Sequence, residues 1–449
     1  MKTRMSHVLL LSAAIVMPLA PAAAQVHLPA VQQAPLGKPP VAQPPAAQPA
    51  TPAPAVQAPA EPAPPPPPPP PVVWDLRNAS DLLAFIQGIG AEGLDPADYD
   101  PAPLAAAITT GEPIALSQIA TDRFDRVSDD LALGHVRRSA RIDWHVDDPD
   151  LDATKQDTML RAAIAQHNIQ GALRNLLPTH PQYAALKLAL ATTTDPAQVK
   201  RIRLNLDRWR WLPRDLGQKY IIVNVPGFHA TLVENGVNRW KQRAIAGKLS
   251  TPTPQLNATA VGVMLNPAWN VPPSIEKEAA GKKGFIPIKS ADGKKILYWQ
   301  QPPGPTNALG QLKFVMYNKY NIYLHDTNAR SRFNDDVRAL SHGCVRTQHI
   351  VDLATELLGD DGGEWTPEKV QQMLTSKKTV QANFVKPVPV FIVYFSSAAL
   401  LDGRIVDYKD LYGRDPKAMQ ALLMKDGGAS LAPKPKPKAD PKTDQVAAR

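Results

Sequence analysis

The sequence predicts an α+β protein in which an all-helical region is followed by a mostly β one, and three observations carry that expectation. Apolar residues recur at helical spacing from residue 73 to about residue 212. From Tyr220 onward the texture changes to short β-branched runs separated by turn residues. Within this second region, only the stretch after Cys344 regains a helical stripe. At 449 residues the chain exceeds what one core organises, so two folded units plus tails are expected.

The chain opens with Lys2, Arg4 and His7, an apolar run over 8–20, and Ala22-Ala23-Ala24 ahead of Gln25, the three-part pattern of a secretory signal. The run is shorter than the roughly 20 residues of a spanning helix, and Pro18 interrupts it. Residues 1–24 are therefore expected to direct export. Residues 25–72 are almost wholly Pro, Ala, Gln and Val and end in unbroken proline over 64–71, so they read as a semi-rigid linker in polyproline II form. Residues 73–216 form the expected helical domain. Its first helix carries Leu82, Leu83, Phe85, Ile86 and Ile89 after Ser80 as N-cap, with Gly93 as the stop, and similar patterns recur over 104–108, 124–133 and 160–176. A basic, aromatic helix over 204–212 leads into the β region.

Strands are expected over 220–225 and His229–Glu234, joined to a third over 239–245 by an Asn235-Gly236 hairpin turn. Further strands are expected over 262–265, 312–316, 322–325 and 389–395, giving a β domain over 217–398. Its one helix is expected over 345–358, with Ile350, Leu353, Ala354, Leu357 and Leu358 as its stripe and its first turn at Cys344. Residues 399–428 form a C-terminal extension. Residues 429–449, with lysine and proline alternating over 433–438, read as a basic disordered tail in weak contact with anionic wall or membrane surface.

The formal charge of +9 is partly a property of the ends. Lys2, Arg4 and Lys38 face only Glu61 before residue 73, and five basic residues face Asp440 and Asp444 after residue 428, which leaves a surplus of four between. That balance suits an acidic polymer and does not call for nucleic acid. The His spacing gives no metal-ligand cluster, and no glycine-rich phosphate loop is present, so no cofactor is expected.

Cys344 is the only cysteine, so an internal disulfide is excluded, and a lone thiol in an exported chain calls for a use. Ser341-His342-Gly343-Cys344-Val345-Arg346 places it at a turn before the expected helix, whose unpaired N–H groups would favour thiolate. Two histidines are candidate bases: His342, two residues earlier, and His325, 19 residues earlier. Spacing does not choose between them.

The runs Tyr323-Leu324-His325-Asp326-Thr327 and Ser341-His342-Gly343-Cys344-Val345-Arg346 resemble the active-site signature of the L,D-transpeptidases with YkuD catalytic domains. Asn266-Pro267-Ala268-Trp269-Asn270-Val271-Pro272, Gln301-Pro302-Pro303-Gly304-Pro305 and Asp410-Leu411-Tyr412-Gly413-Arg414-Asp415 are similar to segments of the larger periplasmic branch, and residues 73–212 to its helical scaffold. The resemblance implies a periplasmic enzyme that cross-links peptidoglycan stem peptides through a Cys344 thioester, releasing D-alanine from a tetrapeptide. Two other readings stand beside it: an L,D-carboxypeptidase with the same residues, and a non-catalytic wall-binding scaffold. By the same resemblance Cys344 is the nucleophile and His325 the general base. Tyr323 and the amides of Gly343 and Cys344 are oxyanion donors, and His342 orients the thiol. Arg346 would take a stem carboxylate, with Ser341, Asp326, Thr327, Trp269 and Tyr298 near the substrate groove. Two departures from that branch stand out. There is no room for a peptidoglycan-binding module, and the lid over 276–299 is short, with turns at Gly281-Lys282-Lys283-Gly284 and Asp292-Gly293.

Overall fold

The computed structural model describes residues 70–400 and 403–431. The expected signal, the linker up to residue 69 and the tail from residue 432 lie outside the described residues. The helical part runs α1 (Leu76–Gly88), α2 (Pro101–Thr110), α3 (Pro113–Leu133), a two-residue strand β1 (Trp144–His145), α4 (Ala153–Ala165), α5 (Ile169–Arg174), α6 (Pro181–Thr192) and α7 (Pro196–Trp209). Asp75, not Ser80, caps α1: its carboxylate accepts the Asn78 N–H at 2.8 Å, and Ser80 lies within the helix donating to the Leu76 carbonyl. Phe85 and Ile86 of α1 and Phe124 and Leu131 of α3 belong to one buried cluster with Leu160 of α4.

The β part follows as β2 (Lys219–Asn224), β3 (His229–Glu234), β4 (Val237–Gly247), β5 (Gln255–Leu265), β6 (Trp269–Asn270), α8 (Glu276–Ala279), β7 (Ile286–Lys289), β8 (Ile296–Gln301), β9 (Leu312–Met316), β10 (Leu324–His325), β11 (Ala339–Ser341), β12 (Val345–Thr347), α9 (Ile350–Gly359), α10 (Pro367–Ser376), β13 (Val380–Val393), β14 (Ser397–Ala399), β15 (Ile405–Asp407) and α11 (Asp415–Leu422). The strands pair in the order β5-β13-β2-β3-β4-β12-β10-β9, and β9 returns to β5, so the sheet closes on itself. Asn235 and Gly236, both at positive φ, make the β3–β4 hairpin turn.

Alternation divides the sheet into two faces. Ile221, Val223, Leu232, Ala244, Leu324 and Val345 share one core with the α9 stripe of Ile350, Leu353, Leu357 and Leu358. Tyr220, Val233, Phe391 and Val393 share another with α6, α7 and α11. The ring of Trp209 stacks on Phe395 at 4.5 Å. Asp207 of α7, fully buried, accepts from the Trp211 indole at 2.7 Å, from Arg210 at 3.1 Å and from the His135 backbone N–H at 2.8 Å. This buried anion explains why the 204–212 segment is both basic and aromatic. β1 joins the large sheet through β5, and α11 packs on α7, so the helical and β parts share both strands and core.

The helix expected over 345–358 starts at Ile350 instead. Residues 345–347 form strand β12, bonded in parallel to β10 and antiparallel to β4. Val345 and Thr347 favour extended backbone, Val345 fills the core, and only at His349, with φ 52°, does the chain turn into α9. The strand expected over 322–325 shrinks to two residues because Asn318 holds the preceding loop, its side chain accepting from Tyr320 N and Ile322 N and donating to Ile322 O. The strand expected over 389–395 begins earlier, at Val380.

Candidate active site

Pairing of β10 with β12 sets Leu324 beside Val345 and His325 beside Arg346. Leu324 and Val345 enter the core, so their neighbours in sequence face the opposite side. That side carries Tyr323 and His325 from one strand and Cys344 and Arg346 from the other. The Val345 N–H donates to the Tyr323 carbonyl at 3.1 Å, which locks Tyr323 beside the cysteine. β9 adds Lys313, paired with His325, its ammonium 5.0 Å from the centroid of the Tyr323 ring. The Tyr323 and His325 rings meet edge to face at 5.7 Å.

The turn that presents the thiol is held from three directions. Ser341 Oγ donates to the Cys344 carbonyl at 2.5 Å and accepts the Gly343 N–H at 3.1 Å. Thr253 Oγ1 donates to the Gly343 carbonyl at 2.8 Å and accepts the Gly247 N–H at 2.8 Å. The Tyr412 hydroxyl donates to the Gly247 carbonyl at 2.7 Å and accepts the Thr253 N–H at 3.2 Å. Gly343 sits at φ +118°, and a Cβ there would lie 3.2 Å from Ile322 Cδ1, so the turn requires glycine. Its amide is engaged by Ser341, which removes Gly343 N–H from the expected oxyanion donors. Cys344 N–H has no acceptor among the described residues and remains one.

Because Cys344 lies between two strands, no helix dipole lowers its pKa. Burial pushes the half-buried thiol up, opposed by hydrogen bonds from Tyr323 and by the positive charges of Lys313 and Arg346. Burial pushes His325 down to about 3, with Arg346 adding to the effect, so the imidazole is neutral at pH 7. Burial raises the Tyr323 hydroxyl well above the phenol range, and the Cys344 sulfur raises it further, so it stays protonated and able to donate. His325 Nδ1 and Arg346 Nε are buried without a hydrogen-bond partner. Unpaired polar groups of this kind are costly in a finished core and are expected where a ligand completes the arrangement.

Residues 218–382 match the family of the L,D-transpeptidase catalytic domain, YkuD, and residues 72–190 match the Scaffold domain family. Residues 218–382 belong to the YkuD family of L,D-transpeptidase catalytic domains. A Haemophilus influenzae protein that bears an L,D-transpeptidase name is 31% identical over 256 residues, covering 51% of this chain and 51% of the relative. The chain thus aligns with about half the length of that relative. Among solved structures, an Enterococcus faecium L,D-transpeptidase aligns at 12% identity and a TM-score of 0.23, covering 40% of this chain and 52% of the other. L,D-transpeptidase 1 of Mycobacterium tuberculosis aligns at 16% identity and 0.19, covering 39% and 61%.

Other residues expected at the site of the YkuD domain are placed around its rim. His342 Nε2 lies 3.1 Å from Lys248 Nζ and 3.2 Å from a Glu278 carboxylate oxygen, so its ring joins the active-site turn to helix α8 of the lid. The segment expected as a lid over 276–299 supplies α8, β7 and most of β8, and β6 joins them in a three-stranded sheet, β6-β8-β7, with a small core of Val271, Ile275 and Ala279. Trp269 on β6 packs on Phe285 at 6.1 Å, and its indole can donate to the Tyr323 hydroxyl. Tyr298 on β8 pairs with Ile288 within the lid sheet. The Asp326 carboxylate accepts from Gln311 N–H and Arg330, both at 2.9 Å, and Thr327 Oγ1 accepts from Ala329 N–H. Both are occupied in shaping the loop behind His325. Lys313, Thr253 and Tyr412 escape a sequence reading as site residues, since each reaches the cysteine only through strand register or a folded-back segment.

Proposed function

We propose that the chain is an exported, periplasmic L,D-transpeptidase that joins peptidoglycan stem peptides through a thioester on Cys344. The observation that carries this reading is the convergence of Cys344, Tyr323, His325 and Arg346 on one face of a YkuD-family domain. The Cys344 sulfur attacks the carbonyl carbon of the amide preceding the terminal D-alanine of a tetrapeptide. A carbon–sulfur bond forms, and the resulting oxyanion accepts from Cys344 N–H and the Tyr323 hydroxyl. The carbon–nitrogen bond then breaks and D-alanine leaves with a proton from the imidazole; the amine of a second stem attacks the thioester, the carbon–sulfur bond breaks, and the amine's proton passes through His325 to the released Cys344 sulfur. Neutral His325 suits a proton acceptor, but its weak basicity means that it takes the thiol proton only as sulfur bonds to carbon. A stored thiolate–imidazolium pair is not the resting state. Arg346, whose Nε has no hydrogen-bond partner, would take a stem carboxylate.

Cys344→Ala is the direct test. With a tetrapeptide muropeptide and an acceptor amine, the wild type should give cross-linked dimer, and the variant should fold and give none. Measurable dimer from the variant would remove the nucleophile from the mechanism. By the same chemistry, a carbapenem, whose strained lactam acylates a thiolate, should add its mass to the intact wild-type protein and not to Cys344→Ala.

A further inference from the structure

Neither a helix N-terminus nor a resting imidazolium supports this sulfur as thiolate. Cys344 follows a strand and precedes another, so no helix N-terminus serves it, and burial keeps His325 neutral. One cation on the same face has no task in the fold. Lys313 Nζ has no hydrogen-bond or ion-pair partner among the described residues, although its side chain is partly enclosed. Leu312 and Phe314 on either side of it are buried in the core, so the strand fixes which way Lys313 points. Its register partner is His325, and its ammonium rests over the ring of Tyr323, the residue locked beside Cys344.

We propose that Lys313 is the counter-ion of the Cys344 thiolate, held in place by the Tyr323 ring and setting the fraction of nucleophilic sulfur in the resting enzyme. This rests on Cys344 being the nucleophile. In the substrate-free enzyme the thiol proton goes to solvent and the charge left on sulfur faces the ammonium; during acyl transfer it goes to His325, which passes it to the leaving amine, and no redox partner is involved. The mutual electrostatics agree: Lys313 and Arg346 both lower the thiol, and the thiolate in turn favours the charged form of Lys313 against the burial that lowers it. Lysine is suited to this because its compact point charge leaves the neighbouring Tyr323 hydroxyl free to donate. Lys313 is on this account a positioning residue that acts through the sulfur.

Alkylation of the full chain by iodoacetamide, followed across pH by intact mass, tests the proposal. A sulfur–carbon bond forms and iodide leaves, and Cys344, the single cysteine, is the only thiol that can report. Lys313→Met and Lys313→Gln should move the midpoint of the rate–pH curve up by roughly one unit, making alkylation about tenfold slower below it, while Lys313→Arg should stay within about threefold of wild type. Thermal melts identify which neutral variant is folded, and the folded one decides. An unchanged midpoint in it, or an Arg variant shifted as far as the neutral ones, would overturn the proposal. Cross-linking by Cys344→Ala, measured in parallel, bears on the reaction and not on the lysine. If Cys344→Ala is inactive and the midpoint is fixed, the lysine proposal alone fails.

Discussion

At the scale of single residues, the site combines groups whose charge states are set by burial against a few neighbours. Tyr323 is the clearest case: it hydrogen-bonds the sulfur, and burial with the Cys344 sulfur holds its hydroxyl protonated, as the donor role proposed for it requires. Tyr323→Phe keeps the ring that carries Lys313 and removes only the donor. Steady-state kinetics on a soluble muropeptide should show kcat about 100-fold lower with KM little changed, the usual signature of a lost oxyanion donor. A change confined to KM would instead assign the hydroxyl to substrate binding. His342 shows how sequence adjacency misleads: two positions from the sulfur, its ring nevertheless faces the lid through Glu278.

At the scale of elements, the C-terminal segment supports the reaction centre from behind. Tyr394 donates to Asp410 at 2.6 Å, and the Tyr394 hydroxyl accepts the Tyr412 N–H at 2.7 Å. Arg414 ties the Thr253 carbonyl to Asp143. Tyr412 completes the path through Thr253 to Gly343. Tyr412→Phe would leave the Gly247 carbonyl and Thr253 N–H without their bridge. It should cost about 1–2 kcal/mol in urea unfolding, lower kcat and leave KM near wild type. Unchanged kcat would show that the Cys344 turn holds its geometry without that support. The motif Asp410-Leu411-Tyr412-Gly413-Arg414-Asp415 was legible as a recurring segment, but its role was not, since it acts 69 positions upstream of itself at Gly343.

At the scale of the whole molecule, burial has neutralised three histidines in separate places. His180, stacked on Trp209 at 4.2 Å, and His229 are each pushed down by burial to about 4, and His325 to about 3. In the unfolded chain each returns to about 6.5. Above that value all three are neutral in both states, and their contribution to stability is fully present. As pH falls from about 6.5 toward 4 the unfolded state binds the extra protons, and stability is lost. His135 runs the other way: despite its burial, its 2.6 Å contact with Asp130 raises its pKa, so it opposes the loss in part. His180→Gln should therefore lose less melting temperature than wild type between pH 6.5 and 4.5. An equal loss in the variant would place the acid sensitivity elsewhere.

The sequence alone determined that the chain is α+β with helices first and where the hairpin turn lies, and it put forward one thiol with two candidate histidines for the chemistry. These follow from local properties: side-chain periodicity, turn residues at positive φ and the count of cysteines. Only the tertiary structure decided what surrounds the sulfur. Residues 345–347 became a strand because both of their edges found partners, β10 and β4, which lie 21 and about 100 positions upstream. That pairing withdrew the helix dipole and aligned Tyr323, Lys313 and Arg346 with Cys344 on one face. Long-range register is invisible to local pattern, because a shift of one residue in any of three strands would present a different set of side chains to the same sulfur.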